Sequence, residues 1–377
     1  MAPGTLPAMR LLAPLAAAVA LAGATACADG AERDRARAPG GGAAPAPGAG
    51  DGGPAAGAAR ARTVATGLQV PWGIAFLPDG SALVAERTTG AIKRVPRGGG
   101  RARTVMRVPG VDVGAGEGGL LGLAVSPRYA RDRLVYAYLT TARDNRIVRF
   151  RLGGPVRPVL TGLRRAGIHD GGRIAFGPDG MLYAGVGDAG DPRLAQDRRA
   201  LNGKILRMRP DGGVPAGNPF PGSLVWSWGH RNVQGLAWDR AGRLWASEFG
   251  QSTWDEVNLI RPGRNYGWPV VEGRGDTRGG RFVNPLVTWR TAEASPSGVA
   301  IVGATLYVAA LRGERLWRVP LRGTRTGRPR ALLTGRYGRL RTVVAAPGGG
   351  LWVATSNRDG RGAPRAGDDR IVRIPAR

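Results

Sequence analysis

Six stretches of this chain repeat one pattern, and that repetition limits the possible folds more than any other feature. The first reads "VPWGIAFLPDGSALVAERTTGAIKRV". The second is "GLLGLAVSPRYARDRLVYAYLTT" followed by "NRIVRF", and the third is "GRIAFGPDGMLYAGVGD" followed by "GKILRM". Then come "VQGLAWDRAGRLWASEFG" with "DEVNLI", "PSGVAIVGATLYVAALRGERLWRV", and "LRTVVAAPGGGLWVATSN" with "DRIVRI". Each unit holds a short apolar strand, a turn rich in Pro, Asp and Gly, a second apolar strand, and a third with basic and apolar residues alternating. In "PDG", proline presets φ for the first corner and glycine accepts positive φ. The alternation in "IVRF", "ILRM" and "IVRI" suits strands with one buried face. Strand-only units of this size cannot bury their faces alone, so they stack. The expected fold is all-β: a six-bladed β-propeller of four-stranded antiparallel blades over residues 61–377.

The segment ahead of the repeats has another character. Met1 to Ala26 reads as an export signal, with Arg10 at its start, an apolar stretch from Leu11 to Leu21, and small residues from Ala22 to Ala26. That stretch is short for a membrane-spanning helix. "GATAC" resembles a bacterial lipobox with Cys27 as the lipid-carrying residue, although Ala24 stands where leucine is usual. Residues 27–60 are almost wholly Ala, Gly, Pro, Asp and Arg, too poor in large apolar groups to offset ordering entropy, and read as a flexible tether. Contact with a membrane is expected only through such an anchor.

Composition removes several function classes. The single cysteine allows no disulfide within the chain, and two histidines with one cysteine exclude an ordinary zinc site. The net charge of +28 is carried by arginines scattered along the chain; only Lys93 and Lys204 are lysines. No basic run interleaved with aromatics is present, so nucleic acid is not an expected partner.

Repeat phase converges four segments. Glu117 precedes the first strand of the second unit, His169 that of the third, His230, Arg231 and Asn232 that of the fourth, and Arg339 and Arg341 lead into the sixth. Equivalent places in a propeller lie on one face, around the channel mouth. A neutral histidine there can accept a proton near neutral pH. Asp188 lies beyond one strand, turn and strand from His169, so the chain returns it to the same face, where it can hold the second ring nitrogen. Arg231, Arg339 and Arg341 can hold an anion through forked hydrogen bonds.

These residues, with "HDGGRIAFGPDGMLYAGVGD", "LNGKILRM", "GHRNVQGLAW", "SEFGQSTWDEVN" and "NYGWPVVEG", resemble the soluble pyrroloquinoline-quinone (PQQ) dependent sugar dehydrogenases from about Thr63 onward. That family is a six-bladed propeller. The resemblance implies oxidation of an aldose to its lactone, with hydride passing to PQQ and electrons leaving to an external acceptor. It implies that His169 is the base for the anomeric hydroxyl and that Asp188 pairs with it. Arg231 and Asn232 match residues at the quinone carbonyls, and Arg339 and Arg341 match residues that hold PQQ carboxylates. Arg312 aligns with a lysine of soluble glucose dehydrogenase, and Glu117 stands where that enzyme has glutamine. The backbone carbonyls of Gly250 and Gln251 match the Ca²⁺ ligands beside the quinone, although proline is frequent where Gln251 stands. Glu256 and the Tyr266 carbonyl match a structural Ca²⁺ site of some members. Two readings of other classes compete: a non-catalytic extracytoplasmic propeller that binds carbohydrate or protein, and a calcium-dependent lactone hydrolase.

Overall fold

The computed structural model describes Met1, residues 61–114 and residues 116–376. The rest of the expected export signal, Cys27 and the tether lie outside the described residues. Six antiparallel sheets follow one another along the chain, as the repeats predict. Blade 1 is Pro71–Phe76, Ala82–Glu86, Ala91–Val95 and Arg103–Arg107; blade 2 is Leu120–Val125, Val135–Thr140, Asn145–Phe150 and Arg157–Leu163. Blade 3 is Ile174–Phe176, Leu182–Val186, Lys204–Met208 and Val225–Trp228; blade 4 is Val233–Trp238, Leu244–Glu248, Trp254–Ile260 and Val287–Arg290. Blade 5 holds Pro296–Val302, Thr305–Ala310 and Arg315–Arg322, with Arg325–Thr326 and Arg330–Leu332 both paired to its third strand. Among the described residues the only α-helices are Tyr129–Asp132 and Arg193–Gln196, of four residues each.

Blade 6 closes the ring. Its first three strands are Leu340–Ala345, Leu351–Thr355 and Ile371–Ile374, and its outer strand is Arg62–Ala65 from the other end of the folded chain. Arg62 pairs with Arg373 and Thr63 with Val372. Asp369 fastens the junction: its carboxylate accepts the Val70 amide at 3.2 Å and the Asn357 amide at 2.6 Å. The repeats begin at Val70, so their pattern does not reveal this closure.

The core is divided among the blade interfaces, one apolar cluster at each. Trp72, Leu121, Tyr138 and Ile174 belong to one, Leu83, Ile92, Leu123 and Val135 to another, and Trp245, Trp289, Val299 and Val308 to a third. The second strand of a blade is sandwiched, which is why Leu182–Val186 and Leu351–Thr355 are buried at every residue.

At the axis the first strands crowd together. A Cβ on Gly122 would sit 2.2 Å from the Gly172 carbonyl oxygen, and one on Gly235 would sit 2.5 Å from that of Ser297. Gly73 and Gly298 occupy the same place in blades 1 and 5. In blades 3 and 6 the position is held by Arg173 and Thr342.

Candidate active site

His169 is built into the crowded turn that leads to blade 3. Its backbone is left-handed, with φ of 58°, a conformation uncommon for residues other than glycine. Contacts on both sides enforce it. Its amide donates to Glu117 Oε2 at 3.0 Å, and its carbonyl accepts the Ala189 amide at 3.2 Å. That carbonyl packs so closely on Gly187 that a Cβ there would lie 1.8 Å from the oxygen. The "GVGD" sequence therefore needs glycine directly before its aspartate.

The strand count that returned Asp188 to His169 is matched by the geometry. His169 Nδ1 lies 2.7 Å from Asp188 Oδ1. Asp188 is wholly buried and accepts two further bonds, from the Gly190 amide at 2.9 Å and from the Trp268 indole N–H at 2.8 Å. Three donors fix the carboxylate, and the carboxylate fixes the ring, directing Nε2 away from it.

Arg231 and Asn232 join this pair to blade 4. The Arg231 carbonyl accepts the Asp188 amide at 2.8 Å, and its own amide donates to Glu248 Oε2 at 2.9 Å. Its guanidinium grips Gln251 Oε1 through Nε and Nη2, at 2.9 and 2.7 Å, and lies 5.5 Å from the Trp268 ring centroid. Burial pulls its pKa down, while Asp188 and Glu117 oppose that. Asn232 Oδ1 accepts the Gly171 amide at 3.0 Å, but its buried Nδ2 finds no partner among the described residues.

Beside this cluster lies a cavity of about 340 Å³ lined by Arg87, Glu117, Arg339, Arg341, Asp359 and Arg361, among others. Four guanidinium groups thus face two carboxylates. Arg361 bonds Glu117 Oε1 at 3.0 Å, Arg339 bonds Asp359 Oδ2 at 3.1 Å, and Arg341 bonds Gln234 Oε1 at 2.9 Å. Burial pushes the Arg341 pKa down to about 9. Burial raises and the His169 amide and Arg361 lower that of Glu117, for a net decrease. The Nε atoms of Arg87 and Arg341 are buried and unpartnered among the described residues. Together with Asn232 Nδ2, three donors are left without an acceptor around one region, which an acceptor-rich anion would satisfy.

Glu117, Arg339 and Arg341 therefore line the cavity, while His169, Asp188, Arg231 and Asn232 form the cluster beside it. Glu117 links the two groups, as does Phe249, whose amide donates to the Asn232 carbonyl at 3.2 Å. Arg312 is exposed and does not line the cavity, although its neighbour Leu311 does. His230 stands one residue earlier in its repeat than His169 and is wholly buried. Its Nδ1 is 2.8 Å from Glu248 Oε1, its Nε2 2.8 Å from Ser227 Oγ, and its ring stacks on Tyr266 at 4.8 Å. It stiffens the carboxylate that holds Arg231.

The loop after blade 4's second strand turns its amides inward. Those of Gln251, Ser252, Thr253 and Trp254 all donate to Glu272 Oε1, at 2.7 to 3.1 Å. The Gly250 amide donates to Asp255 Oδ1 at 2.9 Å. The Gly250 and Gln251 carbonyls accept no hydrogen bond among the described residues, which leaves them available to a hard cation. Glu256 is buried, bonded to the Gly273 amide at 2.7 Å and to Asn258 Nδ2 at 2.9 Å. Burial first, and Glu248 second, hold its pKa well above the usual range. Tyr266 donates its hydroxyl to the Leu259 carbonyl at 2.7 Å. No group of three His, Cys, Asp or Glu side chains suited to a metal forms among the described residues.

Sequence reasoning missed Arg87, Gln234, Trp268, Asp359 and Arg361. The rule that returned Asp188 to the mouth applies to every blade. Applied to the ends of the other second strands, it points to Arg87, Phe249, Leu311 and the loop after Thr355 that carries Asp359. Trp268 arrives on the long excursion between Ile260 and Val287, for which the repeats carry no signal.

Comparison with known proteins shows the family and the fold. The glucose / sorbosone dehydrogenase family pattern matches residues 68–366. The PQQ-bound aldose sugar dehydrogenase of Streptomyces coelicolor is 57% identical, superposes with a TM-score of 0.80, and is matched over 83% of this chain and 96% of its own. A glucose dehydrogenase from Thermus thermophilus described as a putative oxidoreductase is 46% identical, with a TM-score of 0.78 over 83% of this chain and 99% of its own. An aldose sugar dehydrogenase of Escherichia coli is 29% identical over 339 residues, 78% of this chain and 89% of its own.

Proposed function

Because the chain belongs to the glucose / sorbosone dehydrogenase family, we propose that it oxidises aldose sugars to lactones with PQQ and Ca²⁺, His169 acting as the general base. The observation that carries this reading is a guanidinium-lined cavity whose Arg87 Nε and Arg341 Nε lack acceptors, next to a cluster that holds the buried His–Asp pair and the unsatisfied Asn232 Nδ2. PQQ bears three carboxylates and quinone oxygens, so it brings acceptors where acceptors are lacking. Bound there, it supplies a two-electron acceptor for hydride. Arg339 and Arg341 would hold its carboxylates, and Arg231 and Asn232 its quinone oxygens.

The residues of the chain do the rest. With Nδ1 held by Asp188, His169 presents Nε2 as the proton acceptor for the anomeric hydroxyl. Asp188 supports the imidazolium that forms and prevents the ring from turning. Arg231, anchored on Gln251 and the Trp268 ring, offers a fixed positive charge for an oxygen that gains negative charge. A Ca²⁺ ion on the Gly250 and Gln251 carbonyls would add Lewis-acid polarisation, and Glu256 with the Tyr266 carbonyl would hold a second, structural ion. Export through the Met1–Ala26 segment, lipidation at Cys27 and an external electron acceptor complete the reading. A lactone hydrolase would need side-chain carboxylates and amides converging on a metal in the channel, and Glu117 with Asn232 alone gives that reading little support.

The test is reconstitution. PQQ and Ca²⁺ added to the purified apoprotein should give aldose-dependent reduction of an artificial electron acceptor. His169→Ala should abolish turnover and leave PQQ binding nearly intact. Failure of the wild-type protein to bind PQQ or to reduce the dye would sink the proposal.

A further inference from the structure

Arg173 fills the central channel. It stands where blades 1, 2, 4 and 5 have glycine, and its side chain crosses to the other exception, Thr342 of blade 6. Arg173 Nη2 donates to Thr342 Oγ1 at 3.1 Å, and Nε donates to the Gln234 carbonyl at 2.7 Å. The guanidinium lies 4.2 Å from the Trp72 ring centroid. One side chain thus touches blades 1, 4 and 6 from its place in blade 3.

This cation has no ionic partner. Its bonds go to a hydroxyl and a carbonyl, its face lies on an indole, and no ion pair to it forms among the described residues. Burial pushes its pKa down to about 9, which leaves it charged at neutral pH. A buried cation without a counter-ion is costly, and a propeller axis needs no charge to be filled. Gln234 places the charge next to the cavity. Its carbonyl takes Arg173, while its side-chain Oε1 takes Arg341 Nη1 at 2.9 Å and Ser297 Oγ at 2.8 Å. Arg341 in turn lies 6.0 Å from the centroid of the same Trp72 ring.

We infer that Arg173 is a positioning residue of the site, a fixed and uncompensated channel cation that biases the adjoining cavity towards polyanionic occupants. It touches no occupant itself. It acts through the field it adds and through Gln234, which orients Arg341. The inference rests on the PQQ reading only in naming the natural polyanion. It predicts a dependence on ligand charge that packing alone would not produce.

The experiment measures binding to the apoprotein of PQQ and of benzene tri-, di- and monocarboxylates, by intrinsic fluorescence. Arg173→Met removes the charge, Arg173→Lys keeps it, and Thr342→Val loosens the plug while keeping it. Should Arg173→Met not fold, Arg173→Gln replaces it. The expected result is that Arg173→Met weakens the tricarboxylate about tenfold, the dicarboxylate less and the monocarboxylate least, with PQQ following the tricarboxylate. Arg173→Lys should recover most of the loss, and Thr342→Val should stay within twofold of wild type. Equal losses for all three charges, or a Thr342→Val loss as large as that of Arg173→Met, would overturn the inference. If wild type binds the tricarboxylate but not PQQ, the cofactor reading fails and the charge series still judges Arg173. If wild type binds none of these anions, both fail.

Discussion

Asp188→Asn tests the catalytic reading most directly. The substitution keeps size and shape but removes a buried charge 2.7 Å from His169 Nδ1. When His169 takes a proton, the imidazolium loses its only hydrogen-bonded carboxylate. Opposite charges at about 4 Å are worth about 4 kcal/mol at an effective dielectric of about 20, which corresponds to about a thousandfold in rate. The amide also cannot satisfy its neighbours. Asp188 accepts from His169, Gly190 and Trp268, so wherever the new NH₂ points, it meets a donor; that mismatch costs about 1–3 kcal/mol of stability. The bond from Asp188 to Arg231 runs through the Asp188 backbone amide, which the substitution keeps, so PQQ affinity should change far less than the chemical step. Stopped-flow reduction of the bound cofactor by sugar would report the chemical step, and a fluorescence titration would report binding. A chemical step within tenfold of wild type, in a folded variant that binds PQQ normally, would refute the reasoning and leave Asp188 a turn residue.

Other substitutions test the supporting structure. Gly187→Ala puts a Cβ 1.8 Å from the His169 carbonyl oxygen; it should cost about 3 kcal/mol or more in urea denaturation and lower turnover by displacing His169. Asp369→Ala removes the acceptor for the Val70 and Asn357 amides at the ring closure, and should lower stability by about 3 kcal/mol or more, with hydrogen exchange rising first in the outer strand of blade 6. Burial raises the Asp170 pKa to about 6 from 3.8, so the folded state binds more protons than the unfolded between those values. The stability this group contributes is present below about pH 4 and lost as pH rises through about 6, by at most about 3 kcal/mol. Asp170→Asn should flatten that part of the stability profile measured by denaturant midpoints, and an unchanged slope would reject the assignment.

Much of the fold was legible because a repeat is a strong signal. Every blade's first two strands lie where the apolar runs and "PDG"-type turns put them. The pairing of His169 with Asp188 was legible for the same reason: two antiparallel strands return a chain to its starting face. The same argument fell short at His230. The residue of blade 4 that matches His169 is Arg231, each standing four positions before the axis residue (Gly235 or Arg173), while His230 stands one position earlier and is buried between Ser227 and Glu248. Phase sets the end of a blade at which a residue lies. A one-residue offset within that phase is enough to turn a side chain from the mouth into the core.

Determined by the sequence alone were the all-β class, the number of blades, the face that carries the site and the chemical types gathered there. All of these follow from local patterning, which acts over a strand and its turn. Only the tertiary structure decided which groups touch. It brought Arg62–Ala65 to blade 6, Trp268 to Asp188, Arg361 to Glu117, and Arg173 across the axis to Thr342. These contacts join residues 80 to more than 300 positions apart, from the Trp268–Asp188 bond to the Arg62–Arg373 pair. They depend on the ring closing and on the space left at its centre, and neither is written in any one repeat.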